Sequence, residues 1–426
     1  MGSLTANVSL FHGVSYVPPD AIFELTQLYL ADQDARKVNL GQGTYKDEQG
    51  NPWILPSVRA AKEKIRDANH EYLPILGLTP FRALGTELLY GENSTAVAEN
   101  RVGTVAACQA LSGTGALHLA GAFLYQTLPA QTPVYITKPT WSNHRQVFET
   151  IGFEVREFEW YSPKTGRLNL SSILDALSQA PPRSVFVFHA SAHNPSGCDP
   201  SKEEWQQIAS IVKERQLLPL FDSAYLGITS GSYDNDAFAI RYFVDELGLE
   251  AVVCASFAKN MGLYGKFRPK LRGGVGERVG HLSIVTKSAG SATAVESRFA
   301  QLTRAEISNP PAFGARIAAT ILGDSELRRQ WGRDLATMSS RISGMRKALY
   351  EEIERLCTPG DWKPITEQKG MFCVLGLPVE KVLELREKHH IYMADNSRIS
   401  IAGLNQSNID YVAAAIDEVV RGYITE

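Results

Sequence analysis

Residues 184–225 read SVFVFHASAHNPSGCDPSKEEWQQIASIVKERQLLPLFDSAY and contain the pattern that decides the fold. Two short apolar runs, 184–189 and 218–222, flank a segment with helical spacing that begins at Ser201. Ser201 and Glu204 form a capping box, which is typical of a helix N-terminus. A strand, a helix and a second strand in this order predict two neighbouring strands of a parallel sheet.

The same alternation of short apolar runs and helical segments extends along most of the chain. Five further runs are predicted strands: TVAACQ (104–109), PVYIT (133–137), FEVREFEW (153–160), VVCASF (252–257) and HLSIVT (281–286). We therefore expect an α/β fold with a mostly parallel seven-stranded sheet that is flanked by helices. This large domain should span residues 53–337. A smaller α/β domain with an N-terminal arm should form from residues 1–52 and 338–426.

The composition excludes several classes of protein. The chain has 426 residues, of which 44% are hydrophobic and 21% are charged, as is typical of a globular protein. Its 43 basic and 46 acidic side chains give a net charge of −3, which argues against nucleic acid as a partner. No apolar run is long enough to span a membrane, and the N-terminus lacks the pattern of a secretory signal. We expect a cytoplasmic protein.

The cysteines and histidines do not favour a metal site. Five Cys residues lie far apart without CxxC spacing, so we expect free thiols in a reducing compartment. His189 and His193 follow a predicted strand, but no carboxylate stands at ligand spacing beside them. The sequence therefore predicts no metal ion.

Polar residues at the ends of the strands mark the candidate ligand site, because open α/β sheets bind ligands beyond the carboxyl ends of their strands. Residues 109–115, QALSGTG, combine small residues and hydroxyl groups at the start of a helix, which suits an anion. An ordinary helix cap is an equally good interpretation of this stretch. Asn194 lies in a turn after the strand 184–189, where its amide could donate to a ligand.

Asp222 and Lys259 carry the strongest chemical signal. Asp222 ends an apolar run, so it needs a cationic partner, either a structural Arg or a ligand cation. Lys259 follows the run AVVCASF, where desolvation favours the neutral amine that forms a Schiff base. A Lys at a strand end is usually a surface charge, but here the same sheet edge also presents an anion cradle, an Asp and Tyr225. Pyridoxal phosphate needs such a set: a phosphate site, a carboxylate for its pyridinium nitrogen and an imine-forming Lys.

Ten longer motifs make the sequence similar to a known family. They are KVNLGQGTY (37–45), HEYLPILGL (70–78), LSGTGAL (111–117), PTWSNH (139–144), HASAHNPSG (189–197), FDSAYLG (221–227), SFAKNMGLYG (256–265), ERVG (277–280), RAEISNPPAFGARI (304–317) and SRISIAGL (397–404). From about Phe11 to Gly422 the chain resembles the aspartate aminotransferases of the class I, fold-type-I pyridoxal phosphate-dependent family. The resemblance implies that fold and a homodimer with shared active sites.

The resemblance also implies roles for the residues of the cofactor site. Lys259 would bind pyridoxal phosphate covalently and move the proton, Asp222 would pair with the ring nitrogen, and Tyr225 would contact the phenolic oxygen. His144 and His189 would support Asp222 and the ring. The implied cofactor-binding residues are Ser112, Gly113, Thr114, Trp141, Asn194, Asp222, Tyr225, Ser256, Lys259, Arg278 and, from the other subunit, Tyr72.

Two arginines imply a dicarboxylic amino acid as the substrate. Arg398 would grip the α-carboxylate as a bidentate fork, and Arg304 would cross the dimer interface to the distal carboxylate. The implied substrate-binding residues are Gly43, Trp141, Asn194, Arg304 and Arg398, and Phe372 would close over the substrate with Gly43. The implied reaction is a ping-pong transfer of the amino group from L-aspartate to 2-oxoglutarate, which gives oxaloacetate and L-glutamate.

The chain departs from the family pattern in two regions. Gln42 stands where relatives usually carry an apolar residue, and Thr44 replaces an Ala, so either could alter the substrate preference. An aminotransferase of aromatic or specialised metabolism and an aspartate β-decarboxylase therefore stay open. Residues 266–276, KFRPKLRGGVG, form a basic insertion between two motifs that adjoin in relatives. We interpret the insertion as a gene-model error such as a retained intron fragment, and it leaves open a catalytically inactive homologue with a binding role.

Overall fold

The computed structural model describes residues 9–94, 96, 104–264 and 277–422, so the basic insertion 266–276 lies outside the described residues. The strands are β1 (Val38–Asn39), β2 (Val105–Ala110), β3 (Val134–Lys138), β4 (Val155–Glu159), β5 (Tyr161–Ser162), β6 (Arg167–Leu168), β7 (Val185–His189), β8 (Leu218–Ser223), β9 (Ala251–Ser256), β10 (Gly280–Val285), β11 (Phe372–Val374), β12 (Ile391–Tyr392) and β13 (Arg398–Ser400).

The α-helices cover both faces of the main sheet and fill the terminal parts of the chain. They are α1 (Ala21–Ala31), α2 (Pro56–Lys64), α3 (Thr79–Tyr90), α4 (Ser112–Thr127), α5 (Asn143–Ile151), α6 (Leu170–Gln179), α7 (Lys202–Glu214), α8 (Tyr233–Asp236), α9 (Phe238–Arg241), α10 (Ala289–Glu306), α11 (Ala312–Gly323), α12 (Ser325–Arg355), α13 (Pro364–Glu367), α14 (Val379–His389) and α15 (Ile409–Gly422). A π-helical turn (Tyr242–Glu246) follows α9, and a 3₁₀ turn (Ile401–Gly403) follows β13.

The seven predicted strands form one sheet in the order β2-β10-β9-β8-β7-β3-β4. Its neighbouring strands are parallel except at β10, which runs antiparallel to both β2 and β9. The prediction of a mostly parallel seven-stranded sheet is therefore confirmed. The register places His189 beside Asp222 and Ser223 beside Ala255, so the carboxyl ends of β7, β8 and β9 meet at one edge.

Both faces of this sheet are buried, as the near-continuous apolar runs predicted. Successive side chains of a strand point to opposite faces. In β7, Val185 and Val187 pack in the cluster that also holds the apolar face of α4, whereas Phe186 and Phe188 pack in the larger cluster with Trp205. The predicted capping box of α7 is present, since Ser201 and Glu204 each bond the backbone of the other.

The terminal segments of the chain meet in two small sheets. β1 pairs in parallel with β12, so Val38 lies beside Ile391, and β11 pairs antiparallel with β13, so Phe372 lies beside Ser400. The position 337/338, which the sequence analysis chose as a domain boundary, falls inside α12. Among the described residues, no helix combines the length and the apolar composition that crossing a membrane requires. All five cysteines are free, and Cys357 is the exposed one.

Candidate functional site

A cavity of about 1010 Å³ opens at the sheet edge where β7, β8 and β9 end. Its lining includes most residues that the sequence analysis predicted: Gly43, Ser112, Gly113, Thr114, Trp141, His189, Asn194, Asp222, Tyr225, Ser256, Lys259, Arg278, Phe372 and Arg398. The first half of α1, from its cap Asp20 to Leu28, lines another side of the same cavity. These groups come from positions almost 400 residues apart, and the fold brings them together.

Asp222 is held in its ionised form at the end of β8. Its Oδ2 lies 3.0 Å from His144 Nε2, and Thr140 Oγ1 lies 2.7 Å from His144 Nδ1. A hydroxyl that donates to Nδ1 leaves the ring proton on Nε2, where it points at the carboxylate. Burial alone would raise the pKa of Asp222, but the hydrogen bond with His144 leads the interactions that lower it overall.

The second oxygen of Asp222 remains available for a ligand. Oδ1 is buried and has no hydrogen-bond partner among the described residues. An unpartnered buried carboxylate oxygen is costly, so it indicates a donor or a cation that belongs in the cavity. The sequence analysis left the choice between a structural Arg and a ligand cation open. The structure supplies His144 for one oxygen and leaves the other for a ligand.

His144, His189 and Asp222 form a buried cluster beside the cavity. Their ring nitrogens and a carboxylate oxygen of Asp222 all lie within 4.8 Å of one another. The search for ligand spacing missed this carboxylate because it comes from the neighbouring strand. Burial, followed by the charges of His193 and His144, keeps the pKa of His189 well below its usual value. His189 is therefore a neutral ring against which a ligand can pack, and the absence of a metal ion stays a prediction.

Lys259 lies just beyond β9, with its Nζ 5.2 Å from the centre of the Tyr225 ring. Burial lowers the pKa of the amine, the Asp222 carboxylate opposes this shift, and the Arg278 cation adds to it. The net lowering favours the neutral, nucleophilic amine that the sequence analysis expected. Burial also raises the pKa of Tyr225, and the charge of Asp222 acts in the same direction, so its phenol stays protonated.

Ser112, Ser256 and Arg278 line the part of the cavity that suits an anion. Ser112 Oγ lies 3.0 Å from Ser256 Oγ, at the first turn of α4, where backbone N–H groups have no intrahelical partner. A Cβ at Gly280 would lie 2.3 Å from the Ser112 carbonyl oxygen, so glycine allows β10 to approach this turn. Of the two interpretations of 109–115, the position at the cavity favours the anion cradle.

Arg398 presents a guanidinium to the same cavity. Its Nη1 donates to Asn194 Oδ1 at 3.3 Å, and its Nη2 donates to the Gly41 carbonyl at 2.7 Å. The Phe372 ring lies against the guanidinium, at 4.3 Å from ring centre to Cζ. A Cβ at Gly43 would lie 2.5 Å from Phe372 Cζ, so glycine is needed for this close approach. Arg398 is thus buried and held in place, yet its Nε has no partner among the described residues.

Gln42 and Thr44 do not line the cavity among the described residues. Gln42 Nε2 instead donates to Thr26 Oγ1 of α1 at 2.9 Å. The expectation that these two residues adjust the substrate preference by direct contact has no support in this geometry. Through this hydrogen bond Gln42 links the Gly41–Gly43 loop to α1.

Tyr72 and Arg304 lie outside the cavity lining. Tyr72 is 88% exposed, and Arg304 is exposed near the C-terminus of α10, where its Nη1 bonds Ser308 Oγ at 2.5 Å. A single copy of the chain therefore does not bring these two side chains to the cavity. This agrees with the expectation that both act on the other subunit, which stays a prediction.

Sequence reasoning missed several residues that hold the site. Thr140 lies in the motif PTWSNH but was not singled out. Its hydrogen bond with His144 forms because the chain turns into α5 between these two residues, and the sequence alone does not show that contact. Arg346 of α12 is buried and donates to the carbonyls of Ile365, Gly370 and Phe372. The base rate for Arg is a surface position, so no local signal could have found it.

The chemistry of the cavity fits the group that the sequence analysis expected. Ser112, Ser256 and Arg278 suit a phosphate, and the free Oδ1 of Asp222 suits a protonated ring nitrogen. The neutral Lys259 amine suits an imine with an aldehyde, and Trp141 and His189 offer ring faces. The chain therefore supplies the phosphate site, the carboxylate and the imine-forming Lys that pyridoxal phosphate needs, and it supplies them in one cavity.

Comparison with known proteins gives the same answer. The family model "Aminotransferase class I and II" matches residues 35–416. The chain is 44% identical over 430 residues to "Aspartate aminotransferase, cytoplasmic" of Saccharomyces cerevisiae, covering 99% of both chains. It is also 44% identical over 420 residues to the protein of the same name in Gallus gallus, covering 97% of this chain and 98% of that one.

A solved structure agrees with these relatives in fold. It is an aromatic-amino-acid aminotransferase from Burkholderia pseudomallei that is covalently bound to pyridoxal phosphate, with 38% identity and a TM-score of 0.91. The match covers 97% of this chain and 100% of that one. On the family match, the identity to full-length relatives and the shared fold, the chain belongs to the class I and II aminotransferases.

Proposed function

We propose that this chain is a pyridoxal phosphate-dependent aminotransferase that moves the amino group of L-aspartate to 2-oxoglutarate, giving oxaloacetate and L-glutamate by a ping-pong cycle. The observation that carries the proposal is that Lys259, Asp222 and Arg398 line one cavity. The names of the yeast and chicken relatives support aspartate as the donor. Their names also support a cytoplasmic location.

The residues of the chain divide the chemistry among them. Pyridoxal phosphate, when bound, supplies an electron sink for the bond that breaks at the substrate Cα. Lys259, as a neutral amine, would accept the proton from the substrate Cα and pass it to the C4′ carbon of the cofactor. Asp222 would stabilise positive charge at the ring nitrogen, because His144 and Thr140 hold its carboxylate in the ionised form. Asn194 and Tyr225 would donate hydrogen bonds to the phenolic oxygen of the cofactor.

Arg398 orients the substrate through its α-carboxylate. The guanidinium is fixed by Asn194 and the Gly41 carbonyl, so little side-chain entropy is lost when a carboxylate binds. Phe372 covers the guanidinium and excludes water from it, which strengthens a charge-assisted hydrogen bond. Closure of the small domain over the substrate would bring Gly43 and Phe372 with it.

The proposal includes a homodimer with shared active sites. Tyr72 and Arg304 are exposed and lie outside the cavity of their own chain. A second copy would bring Tyr72 to the phosphate and Arg304 to the distal carboxylate of a dicarboxylic substrate. The exposed apolar side chains at the N-terminus support such a contact surface: Leu10, Phe11, Val14, Tyr16 and Val17.

The proposed domain division follows the pairing of the chain termini. A large domain would span 53–337, and the small domain would combine 1–52 with 338–426. The β1–β12 pair, which joins Val38 to Ile391, supports this grouping. α12 would then belong to both domains and link them.

An absorbance spectrum of the purified protein tests the proposal. We expect an imine band with bound pyridoxal phosphate that converts to the amine form when L-aspartate is added, and that returns with 2-oxoglutarate. A protein that shows no band with added cofactor would be the inactive homologue, and the proposal would fail.

A substrate panel then tests the choice of donor. The Burkholderia relative is named for aromatic amino acids, so aromatic donors are the relevant comparison. We expect the highest kcat/KM with L-aspartate or L-glutamate, because Arg304 of a second copy would pair with their distal carboxylate. A higher kcat/KM with phenylalanine or tyrosine would replace the aspartate assignment, and release of carbon dioxide would indicate the β-decarboxylase.

A further inference from the structure

Glu277 immediately precedes Arg278 and is buried, with 7% of its surface exposed. An acid in such a position needs a partner, because desolvating a carboxylate without one is costly. Burial raises the pKa of Glu277 overall, although the backbone N–H of Gly314 and the charge of Lys62 oppose this shift. The neighbouring Arg278 side chain lines the cavity with Ser112 and Ser256, so Glu277 adjoins the anion cradle without lining the cavity.

The partner of Glu277 is the first turn of α11. α11 begins after Pro311, which provides no side-chain hydrogen bond to the helix. The carboxylate of Glu277 lies against this turn instead, close enough to Gly314 for its backbone N–H to lower the carboxyl pKa. A Cβ at Gly314 would lie 2.7 Å from Glu277 Oε2 and 2.4 Å from Val279 Cγ2, so the segment and the helix are in close contact. An anion at this end of a helix also interacts favourably with the helix dipole.

The chain on the other side of Arg278 is fixed by the sheet. The Val279 carbonyl accepts from Phe257 N at 3.0 Å, and Gly280 pairs with Ser256 at the start of β10. Arg278 therefore stands between two anchored residues. The sheet provides one anchor, and Glu277 provides the other.

We infer that Glu277 is a positioning residue for Arg278: by capping α11 it fixes the backbone on the N-terminal side of Arg278, so that the guanidinium stays at the phosphate subsite. The inference rests on the proposed function, because it requires that Arg278 binds the cofactor phosphate. It gives the ERVG motif a physical role, since its first residue holds the second in place. Glu277 itself touches neither the cofactor nor the substrate.

Cofactor titrations of the apoenzyme with and without the phosphate test this inference. The affinities of pyridoxal phosphate and of pyridoxal are measured for wild-type protein and for Glu277→Ala. We expect pyridoxal phosphate to bind about tenfold more weakly to the variant, the lower end of the effect of losing a ligand-orienting partner in metal sites. The affinity of pyridoxal, which has no phosphate for Arg278, should be unchanged. Glu277→Gln keeps an acceptor for Gly314 and should restore the ratio.

Asp324→Ala is the matched control, because Asp324 caps α12 through the backbone N–H groups of Glu326 and Leu327, both at 3.0 Å. This variant should lower the Tm and leave the ratio of the two affinities at its wild-type value.

If Glu277→Ala does not fold, the same ratio is measured for Glu277→Asp, whose shorter side chain moves the carboxylate away from Gly314 and keeps its charge. If the affinities of pyridoxal phosphate and pyridoxal fall by the same factor, or if neither changes, the inference is overturned. Wild-type protein that does not bind pyridoxal phosphate would instead overturn the proposed function.

Discussion

Two sides of the cavity are built in different ways. The sheet-edge wall (Ser112, Asp222, Ser256 and Lys259) stands on strand ends whose side chains bond one another or a buried histidine. The α1 wall (the helix from its cap Asp20 to Leu28) buries Leu25 alone, while Phe23 is 69% and Leu28 45% exposed. The groups that carry the chemistry are therefore held by the core, whereas the α1 wall is more exposed and buries little of its own surface.

Among the described residues, polar contacts in the middle of the α1 wall and just beyond its end attach it to the rest of the chain. In its middle, Thr26 accepts from Gln42 of the Gly41–Gly43 loop. Just beyond its end, Asp32 Oδ2 accepts from Tyr392 OH at 2.8 Å and lies 2.8 Å from His390 Nδ1. Loss of one such contact should change substrate affinity, whereas loss of a group in the sheet-edge wall should change the chemistry. The following variants test that distinction.

Lys259→Ala should have the largest effect. Removal of the amine takes away the group that moves the proton, so kcat should fall about 10⁴-fold, or about 5 kcal/mol, the upper end of general acid–base catalysis. Steady-state kinetics with L-aspartate measure this. Lys287→Ala, at an exposed position after β10, is the control and should keep wild-type kcat. A loss of less than tenfold in Lys259→Ala would show that the sheet-edge wall does not carry the proton transfer.

Arg346→Met should lower the free energy of unfolding by about 4 kcal/mol, because three buried carbonyls would lose their donor. One of them belongs to Phe372, which packs on Arg398 between the two walls. Urea unfolding measures the stability. Arg333→Met on the exposed side of the same helix should change it little. Equal stability of the two variants would contradict the anchoring role of Arg346.

The buried His281 of β10 should make the sheet sensitive to acid. Burial lowers its pKa to about 4, against a usual value of 6.5. Between these values the unfolded state binds more protons, so stability rises with pH across this window and is lost as the pH falls through it. The contribution should be about 3 kcal/mol. It is measured as the difference in unfolding free energy between pH 4 and pH 7.

His281→Gln should remove most of that pH dependence, because glutamine does not titrate. His70→Gln, at an exposed position, is the control and should leave the pH profile as in the wild type. Identical profiles for His281→Gln and wild-type protein would show that other groups cause the acid sensitivity of the sheet.

Thr26→Val should have the smallest effect. The variant loses the hydrogen bond from Gln42, worth about 1 kcal/mol, so KM should rise about fivefold while kcat stays the same. Thr127→Val in α4 is matched, because both threonines also donate to the carbonyl four residues earlier, Ile22 and Phe123. A change in kcat, or the same KM in both variants, would contradict the assignment of α1 to substrate affinity.

The sequence predicted those parts of the molecule that local patterns encode. The apolar runs end at Asp222 and just before Lys259, and each of the seven strands lies within about two residues of its predicted run. The antiparallel direction of β10 was not predicted, because an apolar run reads the same in either direction. Most residues that the motifs singled out line the cavity, and the roles assigned to them stay predictions.

Contacts between distant residues escaped prediction. His193 was considered as a metal ligand, but its ring lies between Thr137 Oγ1 and Ser196 Oγ, at 2.9 and 2.7 Å. Gln42 was singled out for its possible effect on the substrate preference, and its hydrogen bond to Thr26 was not predicted. In each case a side chain had several possible partners in the sequence, and only the packing of the elements decides among them.

The reversed direction of β10 has a consequence for how this site can vary. Because β9 and β10 are antiparallel neighbours, the connection between them leaves and returns at the same edge of the sheet, as in a hairpin. That one connection carries both Lys259 and Arg278. Doubling the length of a loop with fixed ends costs only about 0.6 kcal/mol. With Lys259 close to the end of β9 and Glu277 tied to α11, extra residues can be accommodated between the two at little thermodynamic cost, in the part of the chain nearest to the chemistry.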